Sequence, residues 1–523
     1  MTVVNLIKNK KDLFILSGLS IAIKFSFLFL IANGAIANAA PAPESFADLA
    51  EKLLPTVVNI SSTQKAQEED EPQQRRHNSP FGTQSPFPQG HPFNDMFDDF
   101  FGQQFPSMPQ QRRQLPSSSM GSGFILNKEK GLVITNHHVI DGADEIKLTL
   151  HNDKIIPATI LGSDEKTDLA LLKADLKNEK VSETTFGDSD NMRVGDWVLA
   201  IGNPFGLGGT VTAGIISARA RDINSGPYDD YLQTDASINR GNSGGPMFNI
   251  KGEVIGINTA IFSPTGGSVG IGFAIPSSLA KPVVGQLNEY GRTKRGWLGV
   301  KIQEVTDEIA DSLGLTKAAG ALVAEITPKG PAEKAGIQAG DIILAFDNKP
   351  IREMRHLPRI VAETDISKDV QIIIWREGKR VTLKANIAEL EKAEEDGLLA
   401  AHNGNNVLDK SDDTLSVGVE IKELGLTVAQ LNSSLRDEFA INDNIDGLIV
   451  VESDPNSDAA KKGIDMGDVI LDVNRRPVKS IENLRDHITK AKSEGRESIL
   501  FLINRQGSIQ FVAVKLIAPK QGE

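Results

Sequence analysis

The chain contains no cysteine. That absence excludes a disulfide framework, cysteine-based zinc sites and a thiol nucleophile. Any nucleophile must therefore be a serine, threonine, lysine or carboxylate, or a metal-bound water. No H-E-x-x-H string is present, and GNPFGLGG at 202–209 lacks the Lys-Ser/Thr of a P-loop, so glycine turns explain it. NDNIDG at 442–447 begins like a calcium loop, but the twelfth position is Ser453 where Glu is required. No metal and no cofactor are expected. An excess of positive charge is also missing: 56 basic against 69 acidic residues leave −13. Such a chain does not neutralise phosphates with a basic face, so no nucleic-acid partner is expected. Hydrophobic residues make up 40%, enough for packed cores and too few for a polytopic membrane protein. At ~150 residues per domain, the 523 residues suggest three or four domains.

The N-terminus carries an address. Lys8, Lys10 and Lys11 precede the apolar run FSFLFLIANGAIANAA, which closes on Ala37-Asn38-Ala39. That is the layout of a secretory signal peptide cleaved near Ala39. An uncleaved anchor is the alternative, but Lys24 interrupts the run and the piece from Phe25 is short for a ~20-residue span.

Behind the leader, TVVNIS at 56–61 reads as a strand. Residues 64–119 then lose all periodicity and read as a long loop rich in Gln, Pro, Ser and Gly, with an aromatic-acidic element, FNDMFDDFFG, at 93–102. From Gly121 to about Pro276 short apolar runs such as LVIT, LALLK and WVLAIG alternate with turn residues, the pattern of a barrel or sandwich. Helical periodicity appears at 277–290. The remainder repeats itself. GIQAGDIILAFDNKPI at 336–351 aligns without gaps to GIDMGDVILDVNRRPV at 463–478, with seven of 16 positions identical. Each copy continues into a helix candidate and a closing strand, so two copies of one small mixed α/β module follow the β domain. The acidic stretch between them reads as a linker.

Chemistry points to RGNSGGP at 240–246. A nucleophilic serine needs a tight glycine-flanked turn that exposes its hydroxyl and converges backbone N–H groups on one point, and the residues around Ser243 supply it. The string also satisfies G-x-S-x-G, the nucleophile elbow of α/β-hydrolases. That fold needs a later histidine, and those after Ser243 are His356, His402 and His487, all in the repeats and their linker. Upstream, LVITNHHVI at 132–140 and TDLALL at 167–172 supply His138 and Asp168 in the His, Asp, Ser order of chymotrypsin-type enzymes. Three strand rims could bring the groups together across a barrel cleft. On an extended segment, His137 and His138 would point opposite ways, so only one could face Ser243.

The segments SGFI, TNHHV, TDLALL, GNPFGLGGTVTAGIIS, LQTDASINRGNSGGP and GIGFAIP resemble the HtrA (Do-like, DegP-type) family of serine proteases. The repeats, with AGIQAGDIIL and KGIDMGDVIL, resemble PDZ domains. The resemblance implies a mainly β multidomain chain: a chymotrypsin-like double β-barrel protease domain over 40–290, containing the loop 64–119, then PDZ domains at 291–388 and 413–519 joined by a linker at 389–412. It makes Ser243 the nucleophile, His138 the general base and Asp168 the residue that holds the imidazole tautomer, with the oxyanion hole formed by the N–H groups of Gly241 and Ser243. Ser237 stands where trypsin-like enzymes carry Asp, and Ile238 would line a pocket for small aliphatic P1 residues. The peptide-binding loops would be Trp297-Leu298-Gly299-Val300 and Leu424-Gly425-Leu426-Thr427. The implied activity is ATP-independent degradation of misfolded or mislocalised proteins in the periplasm, by a trimer or larger cage that also holds unfolded polypeptides and hydrophobic C-termini. Peripheral membrane association is compatible with it. The rival expectations are a non-proteolytic chaperone or PDZ scaffold and a membrane-tethered stress-sensor protease.

Overall fold

The computed structural model describes residues 43–64, 118–203, 209–239, 241–263, 267–399, 418–442 and 445–516. The segment read as a leader, and all but the ends of the 64–119 insert with its FNDMFDDFFG element, lie outside the described residues. The first body is built from β1 (Val57–Thr63), β2 (Ser118–Asn127), β3 (Leu132–Thr135), β4 (Glu145–Thr149), β5 (Ile155–Asp164) and β6 (Leu169–Ala174). They close into an antiparallel barrel in the order β1-β2-β3-β6-β5-β4. Closure leaves no unpaired edge, and the interior fills with Val58, Ile60, Ile125, Val133, Leu148 and Leu172. Each such side chain, fully buried, contributes ~1.5–3 kcal/mol.

The second barrel is made of β7 (Trp197–Gly202), β8 (Thr210–Arg221), β9 (Tyr231–Thr234), β10 (Pro246–Asn249), β11 (Val254–Ile261) and β12 (Gly272–Pro276). Its closed order is β10-β11-β12-β9-β8-β7. The helix read over 277–290 forms as Ser277–Tyr290 and stops at Gly291, whose left-handed φ of +70° lets its N–H reach the Leu287 carbonyl. The helix packs on β5 and β6 of the first barrel and on β11 and β12 of the second, bracing one against the other.

Two PDZ-type sheets follow. The first has β14 (Val300–Glu304), β15 (Ala321–Ile326), β16 (Ile342–Phe346), β18 (Asp369–Arg376) and β19 (Lys379–Asn386) in that order, with β17 (Lys349–Pro350) on β16. β13 (Gly296–Trp297) and β20 (Ala388–Glu389) pair separately. The second runs β21 (Val419–Ile421), β22 (Leu426–Gln430), β23 (Leu448–Ser453), β24 (Val469–Val473), β26 (Ser498–Arg505) and β27 (Ser508–Lys515), with β25 (Arg476–Pro477) on β24. The repeated Gly-Asp has one physical job in both copies. Asp341 is fully buried, accepts the Gln338 N–H and pairs with Arg376, while Asp468 accepts the Asp465 N–H and pairs with Arg505. The outer faces of the two sheets meet, Leu322 and Ile342 sharing a cluster with Leu500, Phe511 and Ala513.

One expectation changes. The stretch read as a linker from 389 is ordered at its start: β20 is followed by a helix over Leu390–Glu395. Its Glu391 carboxylate accepts hydrogen bonds from the Arg295 backbone and guanidinium. Composition flagged the acidic residues, but only the fold reveals the buried cation they face.

Candidate active site

His138 does not sit on an extended segment. After β3 the chain makes one helical turn, His137–Ile140, and Asp168 caps it by accepting the His138 N–H on Oδ1 at 3.0 Å. A helix start leaves its first N–H groups without intrahelical partners, so the carboxylate fixes both the backbone and the ring: Asp168 Oδ1 and Oδ2 lie 2.9 and 2.8 Å from His138 Nδ1. His137 takes another direction, its Nε2 lying 3.7 Å from Asp141. The two histidines are successive residues of one helical turn, so their directions follow the helix rather than strand alternation.

Asp168 ends the short 3-10 turn Glu165–Thr167 in a left-handed conformation with φ +53°. Asp164 caps that turn by accepting the Thr167 N–H at 3.1 Å, and the Asn136 amide donates to the Asp168 carbonyl at 2.8 Å. Burial alone would push the Asp168 carboxyl up. His138, together with hydrogen bonds from the Thr259 hydroxyl and the His138 backbone, outweighs burial and holds the carboxyl below its ordinary range.

Ser243 is 6% exposed and sits in a turn with Gly241 at φ +94° and Gly244 at φ +84°. A Cβ at Gly244 would lie 2.2 Å from the Ser122 carbonyl oxygen and 2.3 Å from Thr135 Oγ1, so the turn presses directly on the first barrel. Ser122, with no exposed surface, is the point of attachment. Its N–H donates to the Ser243 carbonyl at 2.8 Å, its hydroxyl donates to the Gly241 carbonyl at 2.5 Å and accepts the Asn203 N–H at 2.8 Å, and its carbonyl accepts the Thr135 hydroxyl at 2.8 Å. Asn59 extends this network by donating to the Gly121 and Asn203 carbonyls. The peptide carrying the Gly241 N–H joins it to Arg240, which lies outside the described residues.

Thr259 on β11 joins the two halves of the site. Its hydroxyl donates to Asp168 Oδ2 at 2.5 Å, and its carbonyl accepts the Ser243 hydroxyl at 3.4 Å. Sequence reading named His138, Asp168 and Ser243 and did not single out Thr259 or Ser122, which touch them. Thr259 lies in an ordinary strand, and Ser122 was noted only as part of SGFI.

Comparison with known proteins gives the family. A family model described as a trypsin-like peptidase domain matches residues 121–257, and a PDZ domain model matches 296–387 and 417–516. A probable periplasmic serine endoprotease DegP-like protein of Bartonella henselae is 42% identical over 90% of this chain and 90% of its own. The chain belongs to the HtrA family of DegP-like serine endoproteases. The corresponding Rhizobium meliloti protein is 41% identical over 91% of this chain and 93% of its own. Among solved structures, the HtrA-type protease AlgW with a decapeptide superposes with a TM-score of 0.52 at 41% identity, covering 66% of this chain and 98% of that one.

Within this HtrA-family framework the other expected site residues have definite places. Ile238 is 1% exposed, in the second-barrel core beside Gly272 of β12, while Ser237 is exposed and its carbonyl accepts the Thr212 hydroxyl at 3.0 Å. Trp297 lies on β13, and Gly299 has φ +80°. Leu424 and Gly425 form the turn between β21 and β22. Among the described residues no group of three or more His, Cys, Asp and Glu side chains is placed to hold a metal.

Proposed function

We propose that this chain is a serine endopeptidase in which Ser243 attacks the scissile carbonyl, His138 takes the Ser243 proton and later delivers it to the leaving amine, and Asp168 holds the imidazole with its proton on Nδ1. The supporting observation is that the Asp168 carboxylate holds His138 Nδ1 and accepts the Thr259 hydroxyl, while the backbone carbonyl of the same Thr259 accepts the Ser243 hydroxyl. Asp168 stays ionised because its carboxyl lies below the ordinary range, so it stabilises the imidazolium that forms as the proton moves. The N–H groups of Gly241 and Ser243 receive the oxyanion. One such donor is worth ~2.7–4 kcal/mol in the transition state.

The substrates are unfolded polypeptides cut after small aliphatic residues, because Ser237 and Ile238 put no anion where a lysine or arginine side chain would need one. The first PDZ loop, Trp297 to Val300, receives a hydrophobic C-terminus by strand addition along β14, an end strand of its sheet. The leader directs the chain to the periplasm and is removed near Ala39, and the mature protein works as a trimer that also holds clients. The deciding experiment incubates purified residues 40–523 and the Ser243→Ala variant with reduced, denatured casein and sequences the fragments. Cleavage by the unaltered chain alone, after Val, Ala or Ile, is the expected result. If neither cleaves, even with a hydrophobic C-terminal peptide present, the triad assignment fails and a holding or scaffold role replaces it.

A further inference from the structure

The two PDZ modules share a carboxylate loop and differ in what lies beside it. TKRGWLGVKIQEV in the first aligns with VEIKELGLTVAQL in the second, pairing Leu298 with Leu424 and Gly299 with Gly425. Structure supports the register. The Gly299 carbonyl accepts the Thr327 N–H at 3.0 Å and the Gly425 carbonyl accepts the Asp454 N–H at 2.9 Å. Both glycines have positive φ, +80° and +66°. Both following strands carry a bulge against the next strand, between Lys301 and Ile302 and between Thr427 and Val428. β14 and β22 are therefore the same strand of the fold, the one to which a peptide C-terminus adds antiparallel.

β14 ends its sheet, but β22 does not. β21 pairs antiparallel along the other side of β22, Val419 opposite Val428, Glu420 opposite Thr427 and Ile421 opposite Leu426. It runs toward the loop, as a client C-terminus would. Ile421 is 1% exposed and shares the core with Leu484, Ile488 and Ala491 of the helix Ile481–Ser493. Its carbonyl accepts the N–H groups of Leu424 at 3.0 Å and Gly425 at 3.1 Å, loop amides that would otherwise face a client carboxylate. Lys492 on the same helix holds Glu423 of the turn at 3.2 Å.

In the first module the positions equivalent to Val419 and Ile421 are Thr293 and Arg295. They are drawn away from β14. Arg295, 6% exposed, donates to Asp164 at 2.9 Å and to Glu391 at 3.1 Å, and the Thr293 hydroxyl donates to Glu391 at 3.1 Å. The cationic segment is buried against acids of the protease domain and the post-β20 helix, whereas the apolar alternation Val-Glu-Ile folds back onto its own module.

We propose that β21 is a built-in occupant of the second module's peptide groove, so that each chain presents one open site for hydrophobic C-termini, in the first module. This rests on reading the first PDZ loop as a C-terminus receptor. The test uses the full-length mature Ser243→Ala protein and a fluorescein-labelled decapeptide ending in Leu-Val-Val with a free carboxylate, with stoichiometry read by calorimetric titration after subtracting the sites taken by the same peptide with an amidated C-terminus, which can enter the Ser243 cleft but not a carboxylate loop. One peptide per chain is expected. Because the chain has no cysteine, Glu420→Cys with Thr427→Cys in the same protein supplies the only thiols, and monomeric mobility on non-reducing electrophoresis identifies the bridge that locks β21 onto β22. Oxidation is expected to leave the stoichiometry at one and the affinity within about twofold. Val419→Pro with Glu420→Pro, checked by circular dichroism for a folded second module, is expected to add a second site. Two peptides per chain before oxidation and one after would overturn the proposal and leave the receptor reading intact, as would a folded proline variant that still binds one. No binding by any form would overturn the receptor reading and the proposal with it.

Discussion

Replacing Ser122 with alanine isolates what holds the nucleophile turn. The hydroxyl of Ser122, which has no exposed surface, links the half-buried Gly241 carbonyl to the buried Asn203 N–H. Ser122→Ala leaves a half-buried acceptor and a buried donor without their partner, and a fully buried group left so costs ~1–3 kcal/mol. Allowing for relaxation, the expected loss of stability is about 2–3 kcal/mol. The Ser243 carbonyl keeps its bond to the Ser122 N–H, so the turn stays attached at one end and loosens at Gly241. Complete loss of one oxyanion donor costs ~10²–10³ in kcat. A loosened donor is therefore expected to lower kcat by about 10- to 100-fold, with KM within about twofold, because the contact acts on the transition state more than on the bound substrate. The assay is steady-state hydrolysis of a peptide p-nitroanilide with Val at P1, together with inhibition by the matching boronate, whose tetrahedral adduct uses the same donors. The inhibition constant should rise in step with the fall in kcat/KM. A variant that melts earlier but keeps wild-type kcat and boronate affinity would refute the reasoning and leave Ser122 a purely structural residue.

Thr259→Val keeps the side-chain shape and removes the donor to Asp168, so the carboxyl should rise toward its ordinary range. Because the folded carboxyl lies low, its contribution to stability is present at neutral pH and is lost as pH falls through its folded value. Urea titrations should show a wild-type advantage at pH 7 that disappears in acid, with kcat about 10-fold lower, and an advantage independent of pH would contradict the assignment. Arg295→Ala leaves Asp164, 6% exposed, without its buried cation, a change that typically costs ~3–5 kcal/mol. Calorimetry of the full chain should show a clearly lower transition, and an unchanged one would mean the pair contributes nothing net. Gly244→Ala places a Cβ against Ser122 and Thr135 at a left-handed backbone position. It should abolish turnover, and retained activity would show that the turn can shift without harm.

How much the sequence alone determined follows from the range over which each signal acts. Periodicity and turn residues are local, so runs such as TVVNIS, LVIT, LALLK and WVLAIG and the helix at Ser277–Tyr290 were legible. The family was legible because its motifs are distinct and stand in one chain order, and the proposed triad was named from those same motifs. The repeat was legible from identity at a constant spacing. Other features were decided by groups distant in sequence. The helical turn at His137–Ile140 forms under a cap supplied from Asp168, 30 residues on. Thr259 and Ser122 matter because strands of one barrel meet the nucleophile turn or carboxylate of the other. Glu391 belonged by composition to a solvated linker, and only the buried Arg295 gives it a structural role. Both loops were read from sequence as peptide-binding, and only pairing showed that one strand edge carries β21 while the other ends its sheet. Local sequence determines which element forms, but whether an edge is covered, a carboxylate partnered or a turn clamped depends on what the tertiary fold places beside it.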